Sequence, residues 1–327
     1  MAPPPTATAE RYRRFAAQEA AGSSPTSERL ARAVAGSAEL LQRLDAGLPP
    51  AKRQPNLLLA AARLLDAPLD GHRFVPFLLD RWDEVADVLA TRATQTNEAA
   101  RTGAFLPVLA ALDGPLALIE VGCSAGLCLY PDRYSISYDG HPPLVPDSPV
   151  TIPVITAGAV PLPSRRPHVV ARIGIDLHPL DVTDADDLAW LEACIWPEHD
   201  VRRERLRTAA GLVAADPPQL IEDDLVDGLD DALARVPAGA TPVVFHSAVL
   251  NYLSPDHRAW FAREVLARHD VVWLANEAPT VLPGVATSLA PPAGATTSLS
   301  FILTWGGSRP LAIGDPHGAW IRWPDRV

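Results

Sequence analysis

The sequence predicts an α/β fold in which a mostly parallel sheet follows an all-helical N-terminal region. Between residues 10 and 112 the apolar residues recur at helical spacing, and prolines divide this stretch into five to seven short helices. After Gly114, short β-rich runs alternate with helical segments, a pattern typical of parallel strands joined by crossover helices. We therefore predict a helical region over residues 1–113 and an α/β domain over residues 114–327.

Eight runs of the α/β domain have the composition of strands. Six of them, rich in apolar and β-branched residues, are 116–121, 169–176, 219–222, 242–245, 270–275 and 299–304. A last pair at 310–313 and 320–323 is predicted at the edge of the sheet. The segment 134–166 is too long for a simple crossover and is rich in prolines, which cannot donate ladder hydrogen bonds. We expect it to form an inserted hairpin or flap outside the main sheet.

Composition and charge narrow the classes of function. The formal net charge of −11, without a basic stripe, would repel a phosphate backbone, so nucleic acid is not an expected partner. No stretch reaches the roughly 18 apolar residues of a membrane span, and the N-terminus lacks the apolar core of a signal peptide. The cysteines, Cys123, Cys128 and Cys194, are odd in number and lack metal-ligand spacing. We expect a cytoplasmic protein without a metal site that acts on a small-molecule substrate.

The strongest local signal is a glycine-rich turn directly after the first predicted strand, within the sequence PLALIEVGCSAGL of residues 115–127. Glu120 precedes Gly122 by two residues, and Gly126 follows in a helix-compatible segment. This resembles the first motif of methyltransferases, in which bare backbone lies against S-adenosylmethionine. Ser124 replaces the middle glycine of that motif, and its Cβ would crowd the cofactor. Glu120, Gly122, Ser124 and Gly126 are therefore the predicted cofactor-binding residues of this turn.

Residues 122–126, GCSAG, also match the G-x-S-x-G motif of the nucleophile elbow in α/β-hydrolases. A hydrolase needs an acid and a histidine downstream, and the candidates are Asp176, Asp224, His246, His257 and His317. A hydrolase elbow usually follows several strands, whereas here the first convincing strand leads into the motif. The serine hydrolase therefore stays an alternative interpretation.

Acidic residues end the second and third predicted strands. Asp176 stands where a methyltransferase places the carboxylate that binds the cofactor ribose, by the same physics as in dinucleotide-binding folds. Asp223 and Asp224 follow the third strand, where a residue would contact adenine. We predict Asp176 and Asp224 as cofactor-binding residues, with turn capping as the alternative for Asp176.

The later strands and the segment before the first strand supply the candidate catalytic residues. His246 and Ser247 end the fourth strand, beside the crevice in which open α/β sheets bind ligands, and Glu277 follows the fifth. His246 is a candidate general base, with Glu277 as a comparable candidate. Asn97 and Arg101 are four residues apart in a segment with a helical pattern, so we expect them on one helical face that lines the pocket.

Seven segments together resemble the bacterial domain-of-unknown-function family 2332, over the chain from about residue 53 to the C-terminus. They are TRATQTNEAAR, LALIEVGCSAGL, DRYSISY, GIDLHPLDV, WLEACIWPEHDVRRERL, VVFHSAVLNYL and DPHGAWIRW. That family is similar in sheet order and first motif to class I S-adenosylmethionine-dependent methyltransferases. The resemblance implies a Rossmann-like, mostly parallel seven-stranded sheet of the methyltransferase type.

Two functions besides the hydrolase follow from this resemblance. The first is S-adenosylmethionine-dependent methyl transfer to a small molecule, in bacterial secondary metabolism. The second is a cofactor-independent, methyltransferase-like subunit that closes a strained nitrogen ring such as an aziridine by intramolecular amine cyclisation, with a haloacid-dehalogenase-like partner protein. Ser124 and the long insertion fit the second interpretation, in which rate comes from holding a near-attack geometry. A non-catalytic binding or scaffold role is a further alternative.

Overall fold

A computed structural model of the chain describes residues 6–282, 284–292 and 299–325. The chain forms two compact units. The first comprises the residues up to Thr96 together with Asp184–Glu204, and the second comprises Asn97–Thr183 together with the residues from Arg205 on. The boundary between the units therefore precedes the change from helices to strands, and a later helical segment belongs to the first unit.

The described residues form eleven α-helices. In chain order they are α1 (Ala7–Phe15), α2 (Pro25–Gly36), α3 (Ala38–Gly47), α4 (Pro55–Leu64), α5 (Gly71–Asp80), α6 (Trp82–Thr91), α7 (Thr102–Leu109), α8 (Ala185–Cys194), α9 (Asp200–Ala215), α10 (Asp227–Ala234) and α11 (Pro255–Leu266). Seven of them precede the first strand, which confirms the predicted helical N-terminal region.

Helices of the first unit begin where the sequence supplies a capping side chain. The Ser24 hydroxyl accepts a hydrogen bond of 3.1 Å from the Ser27 amide at the start of α2. The Asp184 carboxylate accepts from the amides of Asp186 and Asp187 at the start of α8. Within this unit α4 packs against α8, so the helical segment that is distant in sequence completes the core of the first unit.

The second unit is built on one sheet, to which the described residues contribute ten strands. They are β1 (Pro115–Val121), β2 (Ser135–Tyr138), β3 (Thr151–Ala157), β4 (His168–Asp176), β5 (Gln219–Glu222), β6 (Thr241–Ser247), β7 (Val272–Glu277), β8 (Phe301–Trp305), β9 (Arg309–Gly314) and β10 (Trp320–Arg322). The spatial order is β2-β3-β10-β9-β8-β7-β6-β1-β4-β5. The sheet therefore has ten strands instead of the seven that were expected.

Half of the sheet is parallel and doubly wound. The strands β5-β4-β1-β6-β7 are neighbours in that order and pair parallel to one another, as in the order 3-2-1-4-5 of a dinucleotide-binding sheet. Beyond β7 the strands β8 and β9 continue as an antiparallel meander, and β10 pairs antiparallel to β9. The mixed α/β class and the mostly parallel sheet are thus confirmed.

The insertion at residues 134–166 joins the sheet, so the predicted hairpin or flap outside it is wrong. Its strands β2 and β3 pair parallel to each other, which a hairpin cannot do, and β3 continues the sheet through β10. Pro153 lies outside the register that β3 shares with β10, since that register begins at Ile155. The outer strands are therefore β2 and β5, and the predicted edge position of the last two strands is also wrong.

The sheet of the second unit has two covered faces. Side chains alternate between them along each strand, and paired residues of parallel strands share a face. On the first, called the α11 face, Trp273 packs against Phe261 of α11 with ring centroids 5.8 Å apart. On the second, called the α7 face, Phe245 packs against Phe105 of α7 with ring centroids 5.1 Å apart.

Candidate functional site

The carboxyl ends of the parallel strands meet at one edge of the sheet, but the predicted residues lie on both of its faces. Glu120 pairs with Phe245 and therefore lies on the α7 face, as does Ser247 two residues further along β6. His246 and Glu277 alternate with these positions and lie on the α11 face. The glycine turn and His246 thus share an edge of the sheet, as predicted, while Glu120 and His246 project from opposite faces.

His246 is fully buried and both of its ring nitrogens are engaged. The Trp273 indole, which is only a donor, donates to Nε2 at 3.1 Å, so Nδ1 of the neutral ring carries the proton and donates to Oε1 of Glu277 at 2.7 Å. The same carboxylate oxygen accepts from the amides of Val249 and Leu250 at 2.9 and 3.1 Å. This pair therefore fixes the loop after β6, and the arrangement leaves neither ring nitrogen for a substrate.

The glycine turn has a left-handed backbone at three of its residues. Gly122, Ser124 and Gly126 have φ values of 66°, 54° and 70°. Several of its amides are bonded within the protein: the Ser124 amide donates to Oδ2 of Asp176 at 2.7 Å, and the amides of Gly122 and Gly126 donate to backbone carbonyls at 2.8 Å. The Asn97 side chain accepts from the amide of the next residue, Leu127, at 3.2 Å.

Protein side chains occupy the space that the glycines leave bare. A Cβ added at Gly122 would lie 2.5 Å from Cγ2 of Val249, so the valine packs directly on the bare backbone. A Cβ added at Gly126 would lie 3.1 Å from both Leu129 and Pro218. The absence of side chains at these positions therefore serves packing within the second unit.

Two predicted helical features around the turn are wrong. The turn leads into a 3-10 helix of three residues, Leu127–Leu129, where a longer helix was expected to present its N-terminus to a ligand. Asn97 precedes a second 3-10 helix, Ala99–Arg101, so Asn97 and Arg101 do not share the face of an α-helix. Each still reaches the carboxyl edge of the sheet, Asn97 at the turn and Arg101 at the end of β6.

Arg101, Glu120, Ser247 and Asn276 form a buried polar group on the α7 face, which we call the Glu120 site. Arg101 donates from Nη1 to the Ser247 carbonyl at 3.1 Å and from Nε to the Pro316 carbonyl at 2.9 Å. Asn276 donates from Nδ2 to the Ser247 hydroxyl at 3.0 Å. All four residues of the site are less than one-tenth exposed. The side chains of Glu120 and Asn276 each keep one fully buried oxygen without a partner.

Glu120 is the perturbed acid of this site. Burial raises its pKa from 4.5 to about 8, against the opposing effects of a hydrogen bond from the Cys128 thiol and the positive charge of Arg101. At pH 7 the carboxyl is therefore mostly protonated, and it loses its proton just above that pH. A carboxyl with this pKa is suited to general acid and base chemistry near neutrality.

The remaining predicted cofactor residues serve turns in this structure. The Asp176 carboxylate accepts from the amides of Ser124 and His178 at 2.7 and 2.9 Å, and it is half-buried. The Asp224 side chain accepts from the Val226 amide at 3.0 Å, just before α10 begins, and Asp223 is exposed. Asp176 is therefore next to the glycine turn, as predicted, whereas Asp224 caps the turn that follows β5.

A serine nucleophile is not assembled at the turn. The Ser124 hydroxyl is buried, and none of the described residues forms a hydrogen bond with it. A catalytic serine is activated by a histidine within hydrogen-bond reach, and His246, near the end of β6, is bonded to Trp273 and Glu277 on the α11 face. The geometry thus offers no base for Ser124.

The sequence interpretation missed Asn276 and Val249. Asn276 precedes the candidate Glu277 on β7, and the two-residue alternation of a strand would have placed it beside Ser247, on the face of Glu120. Val249 follows β6 in a loop where no periodicity applies. Its position over Gly122 depends on the backbone of that loop, which includes Ala248 at a φ of 63°.

Fold and site together define a mixed α/β protein with a buried polar site at the carboxyl edge of a parallel sheet, where open α/β sheets bind ligands. Among the described residues, no helix has the length and apolar character needed to cross a membrane. The chain belongs to the family described as an uncharacterized protein conserved in bacteria (DUF2332), whose model matches residues 9–323. Comparisons with curated proteins and with solved structures give no match.

Proposed function

We propose that this protein is a methyltransferase-like enzyme that acts on a small molecule at the Glu120 site without bound S-adenosylmethionine. One observation carries the proposal. The protein's own side chains and hydrogen bonds occupy the glycine turn, while Glu120 and Asn276 beside it keep buried oxygens without donors. The doubly wound order β5-β4-β1-β6-β7 supports the methyltransferase-like character of the sheet.

The residues around the turn do not fit the cofactor. S-adenosylmethionine would need bare backbone at Gly122, where Cγ2 of Val249 lies so close that an added Cβ would be 2.5 Å from it. It would also need donors at the turn, where Ser124 already donates to Asp176 and the glycine amides bond carbonyls. Ser124 itself adds a side chain at the middle position. We therefore assign no step of the reaction to the cofactor.

The reaction that these residues support is displacement of a leaving group by an amine of the same molecule. The amine nitrogen attacks the carbon that carries the leaving group, the new carbon–nitrogen bond forms, and the leaving group departs with the bonding electrons. The surplus proton on nitrogen passes to the ionised form of Glu120, which its pKa of about 8 makes available at mildly alkaline pH.

Orientation supplies the rest of the rate in this proposal. The free Oδ1 of Asn276 would accept a second N–H of the amine and hold it for attack. The side chain of Asn276 is itself fixed by its bond to Ser247. A haloacid-dehalogenase-like protein remains the proposed partner for this subunit.

Methyl transfer from S-adenosylmethionine is the second candidate, because one observation favours it. The Asp176 carboxylate at the end of β4 contacts the turn at Ser124, which is the place of the ribose-binding acid in a methyltransferase. The two candidates differ in whether the wild-type protein binds the cofactor, so binding decides between them.

Calorimetry with S-adenosylmethionine on wild type, Ser124→Gly and Val249→Ala tests the proposal. We expect no heat of binding for wild type or Ser124→Gly at millimolar ligand, because the valine still covers Gly122 in both. Val249→Ala is the matched variant that opens this space, and circular dichroism checks that each variant is folded. Micromolar binding by the wild type would overturn the proposal and favour the methyltransferase.

A further inference from the structure

We propose that Arg101 binds an anionic group of the substrate, a carboxylate or a phosphate, so that the substrate carries this group together with an amino or hydroxyl donor. The inference rests on the proposed function in using the same site, and it adds the chemical class of the molecule that enters it. Three observations support it: the bonding of the guanidinium, its missing counter-charge and the acceptors next to it.

The Arg101 guanidinium is held in place by neutral groups and keeps one nitrogen free. Nε and Nη1 donate to the carbonyls of Pro316 and Ser247. Within the described parts of the chain, Nη2 donates to nothing, and it is not among the fully buried atoms without a partner. Solvent therefore reaches this nitrogen, although Arg101 as a whole is only 7% exposed.

The positive charge of Arg101 has no partner among the described residues, since no carboxylate oxygen lies within 4.0 Å of it. Two partly buried arginines are paired: Arg172 forms a bidentate hydrogen bond with Asp132 at 2.8 Å, and Arg205 donates to Glu98 at 2.8 Å. Glu120, whose pKa is lowered by the charge of Arg101 but raised more by burial, is mostly protonated at pH 7. An uncompensated buried charge is costly, and an anionic ligand would remove that cost.

The neighbouring groups define the rest of the ligand. A planar guanidinium matches the oxygens of a carboxylate or a phosphate, and Nη2 of Arg101 keeps its N–H bonds for such a group. Oδ1 of Asn276 is an acceptor, and Glu120 becomes one when it is ionised, so each of them requires an N–H or O–H donor from the ligand. A molecule with an anionic end and an amine or hydroxyl end satisfies both sets of groups.

Calorimetry of the full chain at pH 7 with inorganic phosphate and with succinate tests the inference and separates the two anion classes. We expect one of the two to bind, and Arg101→Gln to weaken it by about 10- to 100-fold, the range for a lost charge-assisted hydrogen bond. The matched control is Arg133→Gln, since Arg133 is an exposed arginine of the same unit, paired with Asp216. It should leave the affinity unchanged.

A measurement on the wild type avoids any folding defect in Arg101→Gln. Phenylglyoxal modifies accessible arginines, and mass spectrometry reports the extent at each site. The anion should slow modification of Arg101 and leave that of Arg133 unaltered. The inference is overturned if neither anion binds, if Arg101→Gln binds as tightly as wild type, or if Arg101 is not protected.

The outcomes separate this inference from the proposed function. Anion binding through Arg101 together with micromolar S-adenosylmethionine binding would keep the anion site and overturn the cofactor-free enzyme. Absence of anion binding together with absence of cofactor binding would overturn the anion site alone.

Discussion

Replacing Gly122 by alanine is expected to destabilise the protein by two separable effects. Gly122 has a φ of 66°, and an L-residue in that left-handed region costs roughly 1–2 kcal/mol. The added Cβ would also lie 2.5 Å from Val249, and overpacking of this kind costs roughly 1–3 kcal/mol. The free energy of unfolding should therefore fall by about 2–5 kcal/mol in total.

Gly114 provides the matched control for the backbone effect. It has a φ of 77°, and a Cβ added there would meet no atom within 4 Å. Gly114→Ala should therefore lose only about 1–2 kcal/mol. The difference between the two alanine variants measures the contact with Val249 alone.

A double-mutant cycle with Val249→Ala completes the experiment. The Val249→Ala background removes the two methyl groups at 2.5 and 2.7 Å and leaves only the Cβ at 3.2 Å, so the penalty of Gly122→Ala should shrink by about 1–3 kcal/mol. Urea unfolding at pH 7, followed by tryptophan fluorescence, measures each free energy of unfolding. If Gly122→Ala is as mild as Gly114→Ala and uncoupled from Val249, the space over Gly122 is free. The backbone at Gly122 would then be open to S-adenosylmethionine.

Two further perturbations test the charges of the second unit. Burial raises the pKa of Glu120 from 4.5 to about 8, so between these two pH values the folded protein holds a proton that the unfolded chain has lost. The free energy of unfolding should therefore fall as the pH rises through this range, by roughly 5 kcal/mol in total. In urea titrations at each pH, Glu120→Gln should lack this fall, and an unchanged pH slope would contradict the buried carboxyl. Asp132→Asn removes the carboxylate partner of Arg172, whose side chain is 9% exposed, and should lower the free energy of unfolding by about 3–5 kcal/mol. Asp216→Asn removes the partner of the exposed Arg133 and should lower it by at most about 1 kcal/mol. Equal losses in urea unfolding would contradict this assignment.

Local patterns in the sequence located eight of the ten described strands well. The predicted run at 219–222 coincides with β5, and the runs that became β1 and β4 differ from the structure by one residue at the start. These strands are short, apolar and bounded by turn residues, so local preference and burial agree. The glycine turn was also predicted from the sequence, because Gly122 and Gly126 adopt φ values of 66° and 70°, which glycine tolerates.

Local patterns could not predict which strands pair or which side chains pack together. Whether β3 forms a hairpin with β2 or extends the sheet through β10 depends on a strand more than 160 residues later, Trp320–Arg322. Likewise, the glycine motif indicated bare backbone at Gly122 but not what lies against it. A ligand and the side chain of Val249 satisfy the same requirement, and only the path of the loop after β6 selected the valine.

The sequence by itself determined the α/β class, the helical N-terminal region, the positions of eight of the ten described strands and the placing of Glu120, Asp176, Ser247 and Glu277 at strand ends. Periodicity and turn chemistry are local properties of the chain, so they can be read without the tertiary structure. The tertiary structure decided which of those strand-end groups are engaged and which are free. His246 is bonded on the α11 face, whereas oxygens of Glu120 and Asn276 have no partners on the α7 face. Hydrogen-bond partners and burial arise from contacts between strands distant in sequence, and these contacts set the pKa of Glu120.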